Sequence, residues 1–180
     1  ETTFTDGEFG TLYRGFDYGT DGNNLVRETD ERGGITSYAV DKNTSRNTET
    51  ADRLGNKTAF EYDASGRTTK VTGKKADGTV ISNVSYYYDG FDNMTGISRG
   101  DGMGYALKYN AFHNLESIGV RGKTDKMVSY DYKNGSGRLK KITYANGDSM
   151  NASYNSLGQL IDEKWYDSEN VLTAHYKYSY

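Results

Sequence analysis

A tyrosine set before a short polar run recurs along this chain at an irregular interval of 20 to 26 residues. Six copies lie between Tyr62 and Tyr178, and Tyr38 and Tyr18 extend the series toward the start. Self-similarity at such a period is the signature of a repeat array, in which each unit packs on its neighbours. The sequence therefore predicts one array over residues 1–180, with about seven to eight units. We expect this array to be a fragment of a longer protein, since the chain stops within a strand-like alternation.

Each unit is predicted to contain a strand, a turn and a return strand. Aspartate or asparagine follows the tyrosine directly, and four positions after the tyrosine stands a residue that tolerates positive φ. This order is typical of a hairpin loop in which the Asp or Asn side chain accepts local N–H groups. We expect return strands to open at Thr68, Met94, Leu115, Leu139 and Leu160. The residues assigned to the repeated motif are Tyr62, Asp63, Gly66, Arg67, Tyr88, Asp89, Tyr109, Asn110, Tyr132, Gly137, Arg138, Tyr154, Asn155, Gly158 and Tyr178.

A second family of turn signals lies between these units. Asp77-Gly78 and Asn146-Gly147 are the dipeptides favoured in two-residue hairpin turns of the primed type, so we expect different turn types at the two edges of the sheet. Pairing 139–145 with 148–154 across Asn146-Gly147 then puts Leu139 opposite Tyr154. The polar segment 41–50 is predicted to be an extended loop. The fold class is all-β: an antiparallel meander of roughly 14–16 strands that forms a curved sheet.

The composition favours a folded but thinly packed protein. Only 34% of the residues are hydrophobic, yet the chain holds 17 Tyr and 22 Gly, which suit strands and tight turns. Apolar and polar residues alternate onto both predicted faces, so tyrosine stacking along a wall fits better than a compact sandwich core. A net charge of −3 from well-mixed residues argues against a nucleic-acid partner, and no apolar run is long enough for membrane insertion. Zero Cys removes thiolate chemistry.

Candidate chemical groups are few. The repeated Asp residues stand where turns favour them, and residues 17–24 lack the ligand spacing of a calcium loop. His113 occupies a turn position and His175 a strand position, and no Gly-any-Ser-any-Gly elbow accompanies them. Arg67 and Arg138 are expected to pack on strand tyrosines through cation–π contacts. We therefore expect no enzymatic activity, no catalytic residue, no cofactor and no metal site.

The segments "YDASGR" (62–67) and "DRLGNKTAFEYD" (52–63) resemble the RHS/YD-repeat family, and the resemblance covers residues 16 to 180. That family includes bacterial polymorphic toxins, insecticidal toxin complexes, wall-associated proteins and teneurins. The resemblance implies a long β-sheet that spirals into a hollow shell, which in the toxins encloses a C-terminal effector domain. This chain has no Pro, lacks the family's Pro-rich core region, and has too few units to close a shell, so it resembles a segment of the shell wall.

These observations lead to one expected function and one alternative. The expected function is a non-enzymatic structural module, a wall segment of an extracellular β-shell that encloses or presents a C-terminal toxin-like domain of the parent chain. The alternative is an adhesion module that binds glycans or proteins through Tyr-rich sheet faces. Self-association through exposed edge strands is a further expectation. The expected location is secreted or at the cell surface, in a bacterium.

Overall fold

The computed structural model describes residues 2–6, 10–20, 22–134 and 136–180. Contacts between Cα atoms divide the chain into two compact units, Glu1–Ser85 and Tyr86–Tyr180. Within the described residues there are sixteen strands and no helix, and the strands follow one another in chain order. The prediction of an all-β antiparallel meander is confirmed. Among the described residues, no helix has the length and apolar character needed to cross a membrane.

The strands of the first unit pair with their chain neighbours only. They are β1 (Thr2–Asp6), β2 (Gly10–Tyr18), β3 (Leu25–Thr29), β4 (Ile35–Val40), β5 (Asn47–Ala51), β6 (Lys57–Tyr62) and β7 (Thr68–Lys74). β8 (Val80–Tyr88) pairs with β7 and runs across the boundary between the units. Every recorded pairing in this unit is antiparallel.

The second unit repeats the same arrangement. Its strands are β9 (Met94–Arg99), β10 (Gly104–Tyr109), β11 (Leu115–Val120), β12 (Lys126–Tyr132), β13 (Leu139–Tyr144), β14 (Ser149–Tyr154), β15 (Leu160–Tyr166) and β16 (Leu172–Lys177). Each pairs antiparallel with the next. The return strands open where the sequence predicts, at Thr68, Met94, Leu115, Leu139 and Leu160.

The turn at Asn146-Gly147 differs from the prediction. Tyr144 N donates to Asp148 O at 2.9 Å and Gly147 N donates to Tyr144 O at 3.0 Å, so the loop has three residues instead of two. A primed two-residue turn needs positive φ at both central positions, whereas here Gly147 has a φ of 94° and Asn146 is not a positive-φ residue. The hairpin is therefore a type I turn followed by a left-handed residue.

The same three-residue turn occurs at both edges of the sheet. Lys75 N donates to Thr79 O at 2.9 Å around Gly78, and Asp63 N donates to Arg67 O at 3.0 Å around Gly66. The predicted two-residue turn at Asp77-Gly78 is thus wrong, and so is the prediction of different turn types at the two edges. One three-residue geometry serves both, because a single left-handed residue per loop is enough to reverse the chain.

The extra loop residue changes the register of the β13–β14 hairpin. Ile142 faces Met150 and Thr143 faces Ser149, while Tyr154 faces Leu160 across a β-bulge. The predicted pairing of Leu139 with Tyr154 is therefore wrong by one residue. A one-residue shift moves every side chain of a strand to the other face, so this correction alters the assignment of the faces.

With the observed register, the central rows of the second unit separate by polarity. One face carries Tyr130, Ile142, Met150 and Trp165 in successive strands, in contrast to the predicted mixing on both faces. The other face carries polar residues in these rows, and two of them, Ser117 and Ser149, are buried. Met150 is the buried apolar side chain in the described part of the chain, at 7% exposure, so the sheet has only a thin core.

The predicted loop at 41–50 is shorter than expected. Asp41 N donates to Arg46 O at 2.9 Å, which closes the turn at residue 46. β5 begins at Asn47, and its polar residues pair with β4 on one side and β6 on the other. Hydrogen-bonded neighbours on both sides hold this polar segment in a strand even though it lacks a strand-like hydrophobic pattern.

Candidate functional site

Tyrosine hydroxyls join each repeated turn to the strand that follows the preceding turn. Tyr62 OH donates to Asn47 O at 2.8 Å and Tyr154 OH donates to Leu139 O at 2.9 Å. The equivalent bonds run from Tyr109 to Met94 O at 3.0 Å and from Tyr132 to Leu115 O at 2.8 Å. Each acceptor is the first residue of a return strand, β5, β9, β11 or β13. The motif tyrosine therefore links consecutive repeat units, each made of a strand, a motif turn and a return strand.

The residue after the tyrosine caps the turn. Asp89 Oδ1 accepts hydrogen bonds from Phe91 N at 2.8 Å and Asn93 N at 3.0 Å. Asn110 Oδ1 accepts Phe112 N at 2.9 Å and Asn114 N at 3.1 Å. The carboxylate and the amide thus do the same work in equivalent turns, as short polar side chains do in turns generally.

The remaining two caps follow the same pattern. Asp63 Oδ1 accepts Arg67 N, and Asn155 Oδ1 accepts Gln159 N, both at 2.9 Å. Arg67 Nε also donates to Asp63 Oδ2 at 2.7 Å, and this bond is the main reason that the pKa of Asp63 lies below its ordinary value. The pKa of Asp89 is lowered first by the amide of Asn93, whose Nδ2 lies 2.9 Å from Asp89 Oδ2.

Left-handed residues stand at the predicted position four after the tyrosine. Gly66 has a φ of 86° and Gly158 a φ of 82°, while the non-glycine residues Asp92 and His113 have φ values of 66° and 61°. In the four-residue loop 134–137, Gly137 takes this role with a φ of 63°. Gly135 of the same loop lies outside the described residues, as does Asp21 of the 17–24 segment.

A second ladder of contacts joins consecutive turns. The Arg138 guanidinium lies where a Cβ on Gly158 would be, and the Arg46 guanidinium lies where a Cβ on Gly66 would be. The same two arginines lie over rings of the motif tyrosines. Arg138 Cζ is 5.9 Å from the centroid of the Tyr154 ring, and Arg46 Cζ is 5.8 Å from the centroid of the Tyr62 ring. The predicted stacking role of Arg138 is therefore seen. Sequence reasoning missed Arg46, because the sequence predicts an extended loop over 41–50, outside the aligned motif.

Tyr88 and Tyr178 complete the set of motif tyrosines. Tyr88 is the last residue of β8 and is half-buried. Tyr178 follows β16, and its backbone N donates to Ile161 O at 3.1 Å. The pKa values of Tyr109, Tyr132 and Tyr178 are raised above the ordinary value, and the loss of solvent around each phenol is the first cause. These phenols are therefore neutral at neutral pH.

The two histidines have separate partners. His113 Nδ1 lies 3.0 Å from Asn93 Nδ2, and its ring lies 4.8 Å from that of Phe91. His175 Nε2 lies 2.5 Å from Asp162 Oδ1, a contact that is the first cause of the lowered pKa of Asp162. Over the stretches that the structure describes, no group of three His, Asp or Glu side chains is placed to hold a metal ion.

Two open grooves on the second unit are lined by tyrosine side chains. One, of about 520 Å³, lies between consecutive motif turns and is lined by Tyr132, Lys140, Ala152 and Tyr154 among others. Another, of about 490 Å³, lies at the opposite ends of the strands beside Tyr144 and Trp165. Both are of a size that binds small ligands in other proteins.

A meander whose consecutive hairpins are tied by tyrosine hydroxyls and by turn side chains defines the chain as a β-repeat protein. Its fold is RHS/YD-repeat-like, as comparison with solved structures shows. The Tc toxin structure TcdB2-TccC3-TEV aligns over 99% of this chain with a TM-score of 0.75 and 15% sequence identity. TcdB2-TccC3 aligns over 94% with a TM-score of 0.76 and 13% identity, and TcdB2-TccC3-Cdc42 over 99% with a TM-score of 0.62 and 11% identity.

The alignments cover only a small part of those proteins. This chain spans 11%, 10% and 11% of the three solved chains, respectively. No model of a known protein family matches the sequence, and no curated protein matches it. The similarity is therefore one of fold, and it agrees with the family resemblance read from the repeated motif.

Proposed function

We propose that this chain is a wall segment of a secreted bacterial β-shell that encloses or presents an effector domain of its parent chain. The observation that carries the proposal is the ladder of tyrosine bonds from Tyr62, Tyr109, Tyr132 and Tyr154, each to the strand after the preceding turn. A wall needs a contact that repeats from unit to unit, and this one does. The alignment of nearly the whole chain on TcdB2-TccC3 supports the same role.

The proposed module has no catalytic activity of its own. Catalysis needs a unique constellation of groups, whereas the Asp and Asn side chains of the motif are engaged in equivalent turn caps. Ion pairs such as Lys57–Glu49 join neighbouring strands, and the pair Arg67–Asp63 joins the two ends of one turn. Interactions of this kind hold a sheet together.

The proposed partner is a domain of the same parent chain. One of the solved structures is named TcdB2-TccC3-Cdc42, which fits a shell that accompanies a further protein. A repeat wall suits that task, because each of its units depends on adjacent units and none depends on the identity of a cargo.

Protease protection of the effector domain in the parent protein tests the proposal. A recognition site for a specific protease is placed in the effector domain, and cleavage is followed with the domain in the intact parent chain and with the domain expressed alone. We expect slow cleavage in the parent chain and rapid cleavage in the free domain. Equal cleavage rates in the two would overturn enclosure, and a parent chain without any further domain would overturn the proposal as a whole.

A further inference from the structure

We propose that Tyr144 and Trp165 form a binding subsite for a neutral hexopyranose of a glycan chain. Their rings are nearly parallel, with an interplanar angle of 18° and centroids 6.4 Å apart. Both line the open groove of about 490 Å³ at one end of strands β13–β15. The site is independent of the wall role, since it uses none of the repeated tyrosine ties.

Trp165 is set apart from the repeat. It is the single tryptophan of the chain, and it occupies the return-strand position held by Tyr144, Val120 and Arg99 in earlier units. Its Nε1 donates to Glu163 Oε1 at 2.6 Å, which fixes the indole orientation. Its backbone pairs with that of Met150, the buried apolar residue of the row, so the indole is held at its ring nitrogen and at its backbone before any ligand arrives. Preorganised rings of this kind lose little entropy on binding.

The rings remain partly open to solvent. Tyr144 is 36% exposed, and the neighbouring groove residue Met127 is 43% exposed. Nothing in the second unit covers this aromatic surface from above, because the described residues form a single layer of strands here. An aromatic face carries negative charge at its centre and attracts the weakly positive C–H groups of a pyranose ring.

Polar groups at the groove rim complete the site. Asp148, Asp167, Asn146 and Thr173 all line the groove beside the aromatic pair. Asp148 Oδ2 accepts Asn146 Nδ2 at 2.7 Å, and Asp167 Oδ1 accepts Val171 N at 2.8 Å. Each carboxylate therefore has a second oxygen that can accept a hydrogen bond from a sugar hydroxyl.

The charge of the rim selects the class of sugar. Two carboxylates face the groove, and no lysine or arginine lines it among the described residues. A sialylated or uronic sugar would bring a like charge against them, whereas the hydroxyl groups of a neutral sugar complement them. The ligand chemistry that fits is thus an uncharged pyranose with one exposed C–H face.

Binding is tested with the 180-residue chain on a glycan array that carries neutral oligosaccharides and their sialylated counterparts. The strongest neutral glycan is then titrated while the fluorescence of Trp165 is followed, since the single tryptophan reports this groove alone. We expect neutral glycans to bind, the sialylated counterparts to bind less, and fluorescence to change on binding. The proposal would be overturned if no neutral glycan on the array bound the chain. It would also be overturned if a glycan bound without changing the fluorescence of Trp165.

Substitutions place the ligand within the groove. Tyr144→Ala is expected to weaken glycan binding about tenfold, the loss of one stacking partner. Asp148→Asn keeps the shape of the rim and is expected to raise binding of the sialylated counterpart relative to the neutral glycan. Tyr176→Ala removes a tyrosine that is 52% exposed and lies outside the groove, so it is the matched control. If Tyr144→Ala and Tyr176→Ala behave alike while both retain the β-sheet circular dichroism of the parent chain, the assignment is wrong.

Discussion

The hydroxyl of Tyr154 donates a hydrogen bond to the backbone carbonyl of Leu139, 2.9 Å away. The two residues belong to consecutive repeat units, because Leu139 opens β13 after one motif turn and Tyr154 ends β14 before the next. The bond therefore joins neighbouring repeat units through a side chain, in addition to the ladder of backbone bonds. In an array with a thin core, side-chain ties of this kind should contribute a large share of the cohesion.

Tyr154→Phe removes this tie while keeping the ring. We expect it to lower the free energy of unfolding by about 1 kcal/mol, the net value of a hydrogen bond whose acceptor is partly buried. Urea denaturation followed by circular dichroism measures the change. Tyr176→Phe, at an exposed tyrosine, is the matched control and should alter stability by less than about 0.5 kcal/mol. Equal effects of the two substitutions would show that the Tyr154 hydroxyl does not stabilise the array.

Gly158 is expected to tolerate alanine less well than Gly102. Both glycines have positive φ, 82° and 84°, so alanine should cost each of them about 1 kcal/mol in backbone strain. A Cβ on Gly102 meets open space, whereas a Cβ on Gly158 would push the flexible Arg138 guanidinium out of its place over the Tyr154 ring. Thermal unfolding of the two variants should therefore show a lower midpoint for Gly158→Ala.

The cause of that difference can be checked by adding Arg138→Ala. This second substitution frees the space above Gly158, so the alanine at 158 should cost about as much as the alanine at 102 when Arg138 is absent. A cost that is unchanged in the Arg138→Ala background would contradict the ladder of contacts between consecutive turns.

The chain is expected to lose stability in acid. Hydrogen bonds within the turns and to neighbouring side chains hold the pKa of Asp52 and Asp89 below the ordinary value of 3.8, chiefly through Asn56 and Asn93. The unfolded chain then binds more protons, so the stabilisation is complete above the unfolded pKa and is lost as the pH falls through the lower folded pKa. Urea midpoints measured from pH 6 down to pH 2.5 should fall most steeply below about pH 4.

The double variant Asp52→Asn, Asp89→Asn removes the negative charge of these two turn caps and keeps a side-chain oxygen that can accept the same hydrogen bonds. Asn110 and Asn155 cap equivalent turns without a carboxylate, so the variant should fold normally at pH 7. Its stability should fall less on acidification than that of the parent chain. The same acid dependence in both proteins would mean that the carboxylates of Asp52 and Asp89 are not responsible.

The isolated 180-residue chain is expected to self-associate. Within it, β16 pairs with β15 alone, and an unpaired strand edge offers free N–H and C=O groups to another chain. Light scattering over a range of protein concentrations should show an apparent mass that rises with concentration. A mass that stays at the 20.1 kDa of the monomer throughout would contradict this expectation.

The sequence predicts the strands of this protein better than its turns and ties. Return strands begin at Leu115 and Leu160 as expected, since the repeated motif marks where each turn ends. The turn at Asn146-Gly147 misled the prediction, because that dipeptide also fits a three-residue loop with one left-handed residue. The third loop residue makes the observed register of β13 and β14 differ by one residue from the predicted register.

Contacts between units were beyond sequence reasoning for a different reason. The hydrogen bond from Tyr154 to Leu139 and the position of the Arg138 guanidinium against Gly158 both depend on how adjacent repeat units lie beside each other. A motif aligned on itself shows what repeats, but it does not show which copy touches which. The aromatic pair Tyr144–Trp165 was hidden in the same way, since its two members lie in strands that are not neighbours.

A cryo-EM structure of the parent protein tests the central proposal most directly. We predict that residues 2–180 form a continuous segment of a β-shell wall and that further strands extend the sheet from both edges. We also predict that a separate domain of the same chain is enclosed or held by that wall. A free-standing sheet with solvent at both edges and no further domain associated with it would contradict the account.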